Sequence, residues 1–104
     1  MALTRDFKDT IVQRVQREPA FAKAMLDEAA TLMLGGEPEA ARLILRDLVN
    51  ATIGFEALAS KTRKPAKSLH RMLSARGNPG MDSLSAIFSA VQTKLGARVE
   101  VHVA

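Results

Sequence analysis

Along this chain the apolar residues fall into six stretches with the spacing of amphipathic helices, and a last short stretch alternates instead. The first runs to Arg17 from Thr4, a capping residue with Asp6 in the turn behind it, and sets Phe7, Ile11, Val12 and Val15 on one side. Pro19 opens the second. Its inward residues are expected at Phe21, Met25, Ala29 and Leu32, with Asp27 and Glu28 toward the other face and Gly35-Gly36 as the stop. Pro38 opens the third, where Ala41, Ile44, Leu45, Leu48 and Val49 form a stripe broad enough to be buried on more than one side. That breadth predicts a central helix against which the following pair leans.

Asn50 to Gly54 breaks the pattern, and two short stretches follow, separated by a basic turn. In the first, Phe55, Leu58 and Ala59 share a side. The second begins at Pro65, whose fixed φ and missing amide suit the first turn of a helix. Ala66, Leu69, Met72 and Leu73 face inward there, while Lys67, Arg71 and Ser74 recur on the opposite side, flanked by Ser68 and His70. Such a helix, buried on one stripe and basic on the other, fits the major groove of DNA.

Charge sharpens this reading. Residues 1–50 hold seven Lys/Arg and eight Asp/Glu, a balance of −1, whereas residues 51–104 hold eight against three, a balance of +5. Within the basic half, Lys61, Arg63, Lys64, Lys67, Arg71 and Arg76 follow one another with no Asp or Glu between them. A surface helix also carries Lys and Arg for solubility alone, but a solvated face mixes signs. A one-sign run over helix, turn and loop is the footprint of a phosphate backbone.

Leu58-Ala59, the turn at Thr62 to Lys64, Leu69 eleven residues after Leu58, then Met72 and Leu73 resemble the helix-turn-helix of phage-repressor/Cro-type (Xre-like) regulators. Leu73-Ser74, Gly77-Asn78-Pro79, Leu84, Ile87 and Leu95 are similar to one branch, the HigA-like antitoxins or addiction module antidotes. The resemblance covers Gly54 to Leu95, about half the chain. It implies base-reading residues at Ala66, Lys67, Ser68 and Arg71, and phosphate contacts at Lys64, Arg76 and Asn78; His70 is placed at the DNA or in solvent. One departure concerns Arg63, which stands where such motifs often carry a tight-turn glycine. A side chain there resists positive φ, so a more open turn is expected.

After Gly77-Asn78-Pro79-Gly80, a turn signal, Asp82 precedes a helix with Leu84, Ile87, Phe88, Val91 and Leu95 at regular spacing, ended by Lys94 and Gly96. Arg98 to Val103 then alternates polar residues with valine, the pattern of a half-buried strand. A single strand leaves its backbone unpaired. Pairing of Val99, Val101 and Val103 with the same strand of a second copy is therefore expected to make a homodimer, as palindromic operators require. The whole is expected to be all-α and one domain: a helical bundle with a lambda-repressor-like helix-turn-helix core at 54–96, an N-terminal helical extension at 1–52 and one short C-terminal β-strand within 97–104.

Composition narrows the alternatives. No Cys is present, which removes thiol chemistry and Cys-based zinc sites, and His70 and His102 stand far apart, so no metal or cofactor is expected. The aromatics are four Phe, too few for single-strand binding by base stacking. No acid pair or phosphate loop stands out, and no enzyme is expected. The opening MALTRDFKD lacks an apolar core, and no run approaches a membrane span, so a cytoplasmic protein with no membrane partner is expected. The competing expectation is a protein-interaction module. In it Met25, Leu26, Leu32, Met33 and Leu34 dock a RelE/HigB-like toxin or another partner, and the basic face only solubilises.

Overall fold

The computed structural model describes residues 2–104, with side chains from residue 9 onward, and it is all-helical. The helices are α1 (Ala2–Arg17), α2 (Pro19–Leu34), α3 (Pro38–Ala51), α4 (Phe55–Thr62), α5 (Ala66–Met72) and α6 (Met81–Leu95). α1 begins at Ala2, so Thr4, expected as its cap, stands within the helix, and the side chains of Thr4, Asp6 and Phe7 fall outside the described residues. Pro19 and Pro38 open α2 and α3 as the missing proline amide allows, since the first amides of a helix have no partner within it.

One apolar core gathers residues from every helix, including Val15, Leu26, Leu45, Leu58, Leu69 and Ile87. The helices of 1–52 therefore share a core with those of 54–96. α3 lies along α2 and α1 and also meets α4, while α6 packs on α4 and α2. In α3 the expected stripe is buried at Ala41, Leu45, Leu48 and Val49, with Ile44 at its margin. Burying a leucine of this kind contributes about 1.5–3 kcal/mol relative to leaving it in water.

The buried face of α2 differs from the expected one. Ala22, Leu26, Ala29 and Ala30 are buried, whereas Phe21, Met25 and Leu32 are half-buried. The alanines of α2 enter the core together with Leu26, and the larger residues stand at its margin. Phe21 instead lies beneath Arg14, whose guanidinium carbon is 4.0 Å from the ring centroid and whose Nε donates to Glu18 at 3.2 Å. The proposed docking set is split by this rotation. Leu26 is core at 2% exposure, Leu32 and Met33 are half-buried, and Leu34 is open at 64%.

Residues 97–104 follow α6 without regular secondary structure, and no strand occurs among the described residues. The strand expected at 98–103 is thus absent from the single chain. A ladder needs a second extended segment, and here the described remainder is helices and short connections. Among the described residues no helix is long and apolar enough to cross a membrane.

Candidate nucleic-acid interface

Gly54 sets the direction of α4. It holds φ 80° and ψ 153°, a region open essentially to glycine alone. Its amide donates to the Val49 carbonyl at 2.8 Å, and its own carbonyl accepts from Leu58 at 3.0 Å. The end of α3 and the start of α4 are thereby tied through one residue.

The turn after α4 is closed tightly, contrary to the open turn expected from Arg63. Arg63 takes the left-handed conformation, φ 58° and ψ 37°, and the Lys64 amide donates to the Ala59 carbonyl at 3.2 Å. This is the six-to-one bond of a Schellman closure, which spares a helix-end carbonyl from going unpaired. That bond and the burial of both flanking helices outweigh the side-chain strain, about 1–2 kcal/mol. Pro65 follows at φ −61° and ψ 139° as the N-cap of α5, and its carbonyl accepts from Leu69 at 3.1 Å.

Burial fixes which side of α5 faces out. Leu69 and Leu73 are 0% exposed, as is Leu58 on α4. Opposite them Lys67 and Arg71 are exposed. Ser74, expected in the same outer row, stands beyond the end of α5 and donates its hydroxyl to the Arg71 carbonyl at 2.7 Å. Ala66 is half-buried and packs on the core, and Lys64 and Ser68 are half-buried. Lys61, Arg63, Arg76 and Asn78 are exposed. Among the described residues none of the six cations from Lys61 to Arg76 forms an ion pair; Arg14 pairs with Glu18, and His102 Nε2 lies 3.9 Å from Glu100 Oε2.

Two contacts that sequence reasoning did not foresee hold this region together. His70, expected at the DNA or in solvent, is exposed but stacked on Phe55, with centroids 3.8 Å apart. Arg42, on α3 in the near-neutral half, reaches the far end of α5. Its Nε donates to the Ser74 carbonyl at 3.1 Å and its Nη2 to the Ala75 carbonyl at 2.8 Å. No periodicity signals a contact across thirty residues; the only hint is a cation beside the buried stripe of α3. Gly77 completes the exit from α5. A β-carbon there would collide with the Met72 carbonyl oxygen and lie 2.6 Å from that of Arg71, so the chain passes under the helix end only as glycine.

The chain matches no protein-family model, and no curated protein or solved structure is significantly similar to it.

Proposed function

We propose that this chain is a sequence-specific regulator that binds double-stranded DNA through α4, its closed turn and α5, used as a helix-turn-helix. The observation that carries the reading is the two-sidedness of α5. Leu69 and Leu73 are fully buried, and Lys67 and Arg71 stand exposed and without ion pairs on the other side. A short helix anchored this firmly presents its outer side chains at fixed positions, and Arg or Lys so placed donates well to guanine edges. Lys61, Arg63, Lys64 and Arg76 around it supply phosphate contacts.

The resemblance to HigA-like antitoxins extends the proposal. The chain acts as a homodimer on a palindromic operator, represses its own operon and pairs with a RelE/HigB-like toxin. A reading frame for such an endonuclease beside this one, and co-purification of the two products, is the check on the toxin.

The DNA reading is tested by selecting bound duplexes from a random pool and titrating the winner with salt. One palindromic sequence should emerge, bound at least about a thousand-fold tighter than random duplex. Its log affinity should fall linearly with log salt, with a slope of about −0.9 per phosphate neutralised. A pool that stays random after repeated rounds overturns sequence-specific recognition.

A further inference from the structure

Four large apolar side chains are exposed among the described residues: Leu34 at 64%, Met81 at 86%, Val101 at 62% and Val103 at 95%. Leu34, Met81 and Val101 line a single open groove of about 720 Å3, where Met33, Phe88 and Val99 lie deeper. It runs between the end of α2, the start of α6 and the C-terminal segment. Clustered apolar exposure of this kind marks a contact surface.

The backbone beside the groove is also unpaired. The Val99 amide donates to Gln92 Oε1 at 2.7 Å, and no other backbone group from 98 to 104 has a hydrogen bond within the described chain. In an extended segment successive amides face opposite edges. A strand formed here with the Val99 amide bonded to Gln92 has the amides of Val99, Val101 and Val103 toward its own chain and those of Arg98, Glu100 and His102 on the outer edge.

We propose that this edge and its groove form the interface between two copies of the chain, joined as an antiparallel two-stranded ribbon about a two-fold axis through Val101. Side-chain chemistry selects the register. An axis between two residues would set valines opposite polar residues and divide the apolar face. Glu100 on the axis would oppose the partner's Glu100, and like charges directly opposite destabilise a pair. With Val99 on the axis, Arg98 meets Glu100, but the residues after Val101 run past Ala97 toward the end of α6. With Val101 on the axis, Glu100 meets His102, Val99 meets Val103 and Arg98 meets Ala104, so valine meets valine and no like charges stand opposite. Glu100 and His102 are suited to each other, their side chains lying 3.9 Å apart even within one chain. All six valines then share one face over the two grooves, and Val103 is covered beside the partner's Val99.

This interface deepens the dimeric reading above and concerns only how the copies meet, so its test is read without DNA and duplex binding is assayed separately. The chain has no cysteine, which makes a single introduced thiol unambiguous. In the proposed register the two Val101 residues form a non-hydrogen-bonded pair with Cα atoms about 4.5 Å apart, within disulfide reach. Under mild oxidation Val101→Cys should give mostly covalent dimer, and Val99→Cys and Val103→Cys little. By sedimentation the unmodified chain should be a dimer, and Val101→Asp and Met81→Asp should be helical monomers. A monomeric unmodified chain overturns the interface, and preferential cross-linking of Val99→Cys overturns the register. Dimers that cross-link at 101 but bind no duplex support this interface and count against the DNA reading instead.

Discussion

The imidazole of His70 lies flat against the ring of Phe55, its plane 17° from parallel and its centroid 3.8 Å away. Phe55 is the buried first residue of α4 and His70 an exposed residue of α5, so the stack joins the two helices outside the Leu58 and Leu69 core. His70→Ala should lower stability by about 1 kcal/mol, within the range for aromatic pairs. His70→Phe should retain most of it. Urea midpoints of the three proteins measure the difference; equal midpoints for all three would mean that the stack contributes nothing.

Base reading and phosphate contact should separate at two cations. Arg71, exposed on α5, should cost about 1–3 kcal/mol of operator affinity when replaced by Ala and relax the preference at one base pair. Lys64→Ala, in the turn, should weaken all duplexes alike and reduce the salt slope by about 1. Salt titrations on operator and random duplex compare them. Equal loss on both duplexes for Arg71→Ala would remove it from the base readers.

Arg42 holds the exit of α5 by two hydrogen bonds from a charged group, to the carbonyls of Ser74 and Ala75. Arg42→Met keeps an apolar stem along α3 and removes both bonds. The cost should be about 1.5 kcal/mol, the low end for charged donors, because the bond to Ala75 is exposed. Hydrogen exchange at Gly77, whose amide donates to Ser74, should quicken. Unchanged exchange there would show that the loop keeps its shape without Arg42.

The left-handed Arg63 makes opposing predictions for folding and binding. Arg63→Gly removes the side-chain strain and should raise stability by about 1 kcal/mol, less whatever the freer unfolded chain takes back. The same change deletes a cation, so affinity for any duplex should fall and its salt slope flatten. Thermal unfolding and a salt titration of one variant read both effects, and a lowered melting temperature would contradict the strain argument.

Leu26 and Leu34 on α2 separate core from surface. Leu26→Asp puts an unpaired carboxylate into the core and should abolish folding. Leu34→Asp, on a side chain 64% exposed, should leave the helical circular dichroism intact. A folded Leu26→Asp would mean that this side chain is not held in the core.

The starts of α2 and α3 and the stop of α6 were legible in the letters themselves. Pro19 and Pro38 lack an amide that a first turn does not use, and Gly96 accepts the left-handed cap that ends α6, effects that act within one turn. The stripes of α3, α5 and α6 were legible for a related reason: large apolar residues at helical spacing have few other places to go. The one-sign run from Lys61 to Arg76 is likewise a property of neighbouring letters, though what it binds is not. Tertiary structure alone decided the rest. α2 turned by about a residue, bringing Ala22, Leu26, Ala29 and Ala30 into the core, and which of its sides packs is set by the elements around it rather than by its own letters. Arg63 took a left-handed turn because both flanking helices are anchored by buried leucines, which outweigh its local reluctance. Arg42 and His70 found partners thirty-two and fifteen residues away, and the valines of the C-terminal segment found no strand among the described residues. Periodicity reports only which side of an element is apolar; what lies against that side depends on the path of the whole chain through space.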